Sequence, residues 1–322
     1  MIAGKAAALA LDTGMCVMMY AIQRRHRLNG GSWRYLEEYI AACEPLSRDA
    51  YFAGPPLTLG GADFETTTLH WESPIRTACP ENNRTHIDLF RCAEGWKAPT
   101  ALMFHALMSA SDRGYRQRAA DFNARGWNAC FVHLPYHYSR RPGRHANGEL
   151  AITADLVRTA EGLRQGVAEA RQLMAALREQ GCREFGVWAS SYGGWIGALL
   201  ASVESDFRFV ALMEPIVDVS HSIWVSPAGL ALRRELVRQS IEPRLIERHF
   251  RLGSPMHGEP LCGGKKVVFC GGAYDRIAPV EAIARMHELW RGSELIEVAQ
   301  GHFGYRMMPA VWTHLAERGC FE

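Results

Sequence analysis

The stretch "EFGVWASSYGGWIGALLA", Glu184–Ala201, runs from a β-rich segment straight into a glycine-rich helical one, with two serines at the joint. A strand that turns directly into a helix forces the residue at its apex into a strained backbone conformation. The residues two before and two after must be small, because the turn crowds them. Centred on Ser191, the frame has Ala189 and Gly193 at those places; centred on Ser190, it has Trp188 and Tyr192. Ser191 is therefore the candidate nucleophile and Ser190 its neighbour. An alanine stands where a glycine is commoner, which respects the steric reason for the pattern.

A hydroxyl is a weak nucleophile at neutral pH, so a base must take its proton and an acid must orient the base. Further along, "VVFCGGAYDRIAP" places Asp275 just beyond an apolar strand, and "IEVAQGHFGY" places His302 just beyond the next. In a parallel sheet the carboxyl ends of strands deliver functional groups to one edge. Glu214 and Asp218, after "RFVALM", are alternative acids. The oxyanion of an acyl-transfer reaction needs N–H donors. The backbone of Tyr192, after the nucleophile, supplies one; the loop "HALMS" after "TALMF" offers Ala106 or Leu107 for the other, with His105 bracing it. A neutral His302 with an ordinary pKa near 6.5 predicts hydrolysis rising through roughly pH 6 to 7.5.

Outward from this centre, "FETTTLHW", "RTHIDLFRC", "TALMFHALM", "NACFVHLP", "EFGVWAS", "RFVALME", "KKVVFCGG" and "SELIEVAQ" read as strands, the first two an antiparallel pair. Helical stretches lie between several of them. One carries Leu163, Val167, Ala170, Met174 and Leu177 on a single face. Such alternation predicts an α/β fold with a mostly parallel sheet flanked by helices. Residues 215–264 interrupt it with helical patterns and read as an inserted cap. Residues 1–60 read as an N-terminal helical extension, bounded by the Pro- and Gly-rich "AGPPLTLGGAD", and residues 61–322 as the main domain. Within the extension, Asp12, Thr13 and Gly14 are expected to break the apolar run Ala6–Ile22 into pieces too short to span a membrane. An ordinary or membrane-touching helix is the expectation.

Composition narrows the function. The 322 residues are 48% hydrophobic and carry a formal net charge of +2 without long like-charge blocks, so no nucleic-acid footprint is present. Nine cysteines without a C-x-x-C pair fit buried thiols in a reducing compartment, hence a cytoplasmic location. His133 and His137 are spaced four apart, but Pro135 between them disfavours a helical metal site. The glycine pairs lack nucleotide-binding spacing. No metal or organic cofactor is expected.

The elbow "ASSYGG", the segment "DRIAP" and the terminal "GHFGY" resemble the α/β-hydrolase superfamily from about Asp63 onward. "SASDRGYRQRAADFNARGW" and "HLPYHYSRRPG" are similar to an abhydrolase-domain family of lipase or esterase type. The resemblance implies a serine hydrolase acting on a small-molecule or lipid-like carboxylic ester. A thioesterase, a serine peptidase or an inactive hydrolase-like binding module shares these motifs. Arg140, Arg141 and Arg144 follow a strand whose end faces the site, and they are candidates to grip an anionic part of the substrate. The alternative is that they pair with acidic residues of the cap or face solvent.

Overall fold

The computed structural model describes residues 2–57 and 59–322; Met1 and Thr58, both within the expected N-terminal extension, lie outside the described residues. Each of the eight β-rich runs forms a strand: β1 (Thr68–Glu72), β2 (Arg84–Phe90), β3 (Thr100–Phe104), β4 (Asn128–Val132), β5 (Phe185–Ser190), β6 (Phe207–Met213), β7 (Val267–Gly272) and β8 (Glu294–Val298). They make one sheet in the order β1-β2-β4-β3-β5-β6-β7-β8. β2 is antiparallel to both β1 and β4, and the remaining pairs are parallel.

The helices are α1 (Ile2–Gln23), α2 (Ser32–Cys43), α3 (Arg48–Tyr51), α4 (Arg113–Asn123), α5 (Leu156–Glu179), α6 (Tyr192–Ala201), α7 (Val219–Trp224), α8 (Leu230–Arg238), α9 (Pro243–His249), α10 (Val280–Leu289) and α11 (Met307–Glu317). Central strands β3, β4 and β5 are buried at every position, which is why they read as unbroken apolar runs. The edge strand β1 alternates instead. Side chains on alternate residues feed two cores. Leu102, Phe104, Val187 and Leu212 meet α5, α6 and α10 on one face; Ala101, Met103, Trp188 and Ala211 meet α4 and α11 on the other.

Helix α5 starts at Asp155, whose carboxylate accepts the Arg158 N–H at 3.0 Å. Leu163, Val167, Ala170, Met174 and Leu177 are all fully buried, and so is most of the rest of the helix. The reason is the segment before β1, which covers its outer side. Arg164 Nε donates to the Tyr51 carbonyl at 2.6 Å, and Gln172 Nε2 to that of Pro55 at 2.8 Å.

The apolar run near the N-terminus is not broken. α1 continues through Asp12, Thr13 and Gly14 for 22 residues, because Asp12 and Gln23 turn inward and find partners there. Residues Gly4–Gln23, with a mean hydropathy of 1.3, are long and apolar enough to cross a membrane by length and composition. The expectation of short pieces is therefore corrected. The segment between β6 and β7, expected as a cap, carries α7, α8 and α9, and α1 rests on it: Arg27 pairs with Glu235 at 3.0 Å, and Arg234 donates to Tyr20 Oη at 2.7 Å. All nine cysteines are unpaired, and six of them are buried.

Candidate active site

Ser191 sits between β5 and α6 with φ 51° and ψ −114°, a left-side conformation that an L residue adopts only when its surroundings hold it. The crowding inferred from the sequence is real: a Cβ on Gly193 would stand 2.4 Å from the Phe104 carbonyl oxygen, and one on Gly194 would stand 2.9 Å from Pro215. Ser191 Oγ lies 2.8 Å from His302 Nε2, and His302 Nδ1 lies 2.7 Å from Asp275 Oδ2. The other carboxylate oxygen of Asp275 accepts the N–H groups of Ile277 and Ala278 at 2.7 and 2.9 Å, which fixes its plane. All three side chains are buried at the carboxyl ends of β5, β7 and β8. Ser190 Oγ instead shares a 3.2 Å hydrogen bond with Tyr115 Oη.

Two further acids bear on His302. Asp12, reaching in from α1, accepts the His302 N–H at 2.9 Å and the Phe303 N–H at 3.2 Å. Burial raises the pKa of Asp12, opposed by those two hydrogen bonds. Glu214 adopts a positive φ of 38° at the end of β6, and its Oε2 is shielded from solvent without a hydrogen-bond partner among the described residues. Burial pushes the Glu214 pKa up to about 8. Burial also disfavours the imidazolium of His302, but the charge of Asp275 and its hydrogen bond outweigh this, aided by Glu214 and Asp12; the pKa rises to about 9. The expectation of an ordinary histidine is thereby revised upward. Glu214 makes no hydrogen bond to His302, and Asp218 instead caps α7 and pairs with Arg285 at 2.8 Å.

The loop after β3 is braced as expected. His105 is fully buried, and its Nε2 accepts the Leu134 N–H at 3.1 Å. The Ala106 N–H is engaged by Tyr115 Oη at 3.3 Å and the Met108 N–H by His137 Nε2 at 3.2 Å. The Leu107 N–H makes no hydrogen bond among the described residues, and that of Tyr192, at the first position of α6, has no intrahelical acceptor. Both Leu107 and Tyr192 line the cavity above Ser191.

That cavity has a volume of about 280 Å³. Its walls are mostly apolar and include Met15, Met18 and Met19 of α1, Ile216, Leu232 of α8 and Phe250. The contribution of α1 was not foreseen. The signal was present: Asp12, Cys16, Met19 and Gln23, spaced by four, three and four, share one helical face that turns inward.

The arginines lie elsewhere. Arg140 is fully buried and clamps Glu169 of α5 with two nitrogens, at 2.6 and 2.8 Å, while also donating to the carbonyls of His133 and Asn82. A side chain so consumed cannot grip a substrate, so the substrate-binding expectation for it is corrected. Arg141 and Arg144 are exposed and do not line the cavity.

A mixed eight-stranded sheet in this order, flanked by helices and with a sharp strand-to-helix turn after β5, defines the α/β-hydrolase fold, and the chain has it. The comparisons agree. An esterase from Thermogutta terrifontis superposes with a TM-score of 0.52 at 17% identity, covering 77% of this chain and 93% of that one. Acetyl xylan esterase 1 from a Thermoanaerobacterium species gives 0.53 at 14%, over 92% and 95%. The acylaminoacyl peptidase of Pyrococcus horikoshii gives 0.53 at 16%, over 78% and 41%. In sequence, the chain is 28% identical over 182 residues to uncharacterized proteins of two Mycobacterium tuberculosis strains; the match spans 56% of this chain and 43% of theirs. No protein-family model matches.

Proposed function

We propose that the chain is a serine hydrolase that cleaves carboxylic esters with an apolar acyl group through an acyl-enzyme on Ser191. The hydrogen-bonded series Ser191–His302–Asp275 at the floor of an apolar cavity carries the reading. Ser191 Oγ attacks the acyl carbon as its proton passes to His302 Nε2, and Asp275 holds the imidazolium by its Nδ1–H. The N–H groups of Tyr192 and Leu107 face the oxyanion. His302 then returns the proton to the leaving alkoxide, and water, deprotonated by the same nitrogen, releases the acid. The structural neighbours include both esterases and a peptidase, so the choice of an ester rests on the apolar cavity and on the assay below.

A fluorophosphonate probe tests the mechanism, and p-nitrophenyl esters of graded chain length test the substrate class. Labelling that disappears in Ser191→Ala is expected, with turnover of the apolar esters. A folded protein that neither labels nor hydrolyses any ester would overturn the proposal.

A further inference from the structure

Where α1 ends, its chain meets the loop that joins β4 to α5, and three ligand-type side chains converge. His26 Nε2 lies 3.1 Å from Glu149 Oε1, and His145 Nδ1 lies 3.3 Å from the same oxygen. All three atoms fall within 4.8 Å of one another. Ligand atoms about 2.0–2.1 Å from a tetrahedral zinc ion stand about 3.3 Å apart, so the two short separations already match edges of that tetrahedron. His145 Nδ1 is also shielded from solvent, and it makes no hydrogen bond despite its closeness to the carboxylate, because the approach is out of line. That nitrogen is left without a hydrogen-bond partner among the described residues.

We propose that His26, His145 and Glu149 form a three-ligand site for a zinc-class divalent cation, which fastens α1 to the β4–α5 loop.

The surroundings suit such an ion. Glu149 Oε2 accepts the Ala146 N–H at 2.7 Å, which orients the carboxylate and turns Oε1 toward the two imidazoles, where it shares a 3.1 Å hydrogen bond with His26 Nε2 that an ion would replace. Bonds that use none of the ligand atoms shape the loop: the Gly148 N–H donates to the Tyr136 carbonyl at 3.0 Å, and Asn147 Nδ2 to that of Ser109 at 2.6 Å. Two imidazoles and one carboxylate select a borderline ion such as zinc over magnesium or calcium, which take oxygen ligands.

A second cluster, His86, Asp88 and His133, is less suited. Both oxygens of Asp88 are already engaged, Oδ2 by Arg116 at 3.0 Å and Oδ1 by His86 Nε2 at 2.9 Å, and the Arg116 charge beside the carboxylate disfavours a second cation there.

The site ties the roof of the cavity to the loop network behind it, so an ion there stabilises α1 against detachment. The full chain, stripped with a chelator and desalted, is titrated with zinc chloride by calorimetry. One equivalent is expected, with affinity falling at least tenfold in His145→Ala and in Glu149→Gln but not in the control His86→Gln. In the wild type, zinc should raise the melting temperature and slow tryptic cleavage after Arg24 and Arg25, which are exposed at the end of α1. His145 is one-third exposed (35%), so its replacement leaves the fold intact, as circular dichroism will verify. Equal zinc affinity in the wild type and both site variants, or no tight equivalent in the wild type, would overturn the site. So would loss of the equivalent in His86→Gln alone.

Discussion

Ser190 and Ser191 are neighbours in the chain and opposites in the fold: one is held by Tyr115, the other by His302. Ser191→Ala should lower kcat by about 10⁶-fold and His302→Ala by nearly as much, because the three groups act as a unit; Asp275→Asn should cost about 10⁴-fold. Ser190→Ala should retain most activity. Initial rates with one p-nitrophenyl ester decide this, and equal losses at both serines would reject the elbow assignment. The raised pKa of His302 carries a second expectation. The neutral base becomes available only as pH rises toward about 9, so kcat/KM should still be climbing above pH 7.5. Glu214→Gln removes a charge that favours the imidazolium and should move that climb to lower pH. A profile already level at pH 7, unmoved by the substitution, would show that the acids around His302 do not act on it. Stability follows the same groups. Glu214 ionises near 4.5 when unfolded and near 8 when folded, so ionisation favours the unfolded chain progressively between those values. His302 adds stability that is whole below 6.5 and lost as pH rises through about 9. Thermal stability should therefore fall from pH 5 to 9, and Glu214→Gln should flatten the slope.

Among the elements, α1 and the β4–α5 loop do more than cover the core. Asp12 on α1 receives two backbone N–H groups of the His302 loop, so Asp12→Ala leaves them without partners beside the base. The variant should lower kcat more than it raises KM, with a drop in melting temperature of several degrees from the lost hydrogen bonds. Unchanged kcat would mean that the His302 loop holds itself. The β4–α5 loop depends instead on the pair of Arg140 with Glu169, neither exposed at all. Removing one partner strands a buried charge, so Arg140→Ala should cost about 3–5 kcal/mol by denaturant titration. Anionic and neutral esters should then suffer alike, because the guanidinium is fully buried and both of its terminal nitrogens are engaged inside the protein. A selective loss on the anionic ester would return the arginine to substrate recognition.

At the scale of the whole molecule, the cavity forms only where α1, the helices between β6 and β7, and the sheet edge come together. Each CH₂ buried there contributes about 0.8 kcal/mol, so kcat/KM should rise about fourfold per methylene until about 280 Å³ is filled and then fall. Leu232→Trp should shift that optimum to shorter chains, and a preference indifferent to both length and substitution would show that the acyl group binds elsewhere. Much of this molecule was legible in the chain itself. The eight strands could be read because each is a local apolar run bounded by turn residues, and the elbow because its steric demand falls on residues two positions away. Asp275 and His302 were legible through their places after successive strands. What sequence could not give depends on residues far apart in the chain. Asp12 meets His302 across 290 positions, and Arg140 meets Glu169 across 29 and in the interior. Read locally, Asp12 was a helix breaker and Arg140 a candidate substrate ligand. The pKa of His302 is likewise a sum over Asp275, Glu214 and Asp12, three carboxyls on different elements. Local pattern determined the strands and the order of the triad, since backbone sterics and side-chain periodicity act over a few residues. Tertiary structure alone decided which charges are buried together and what roofs the site, since desolvation and Coulomb interactions depend on distance in space.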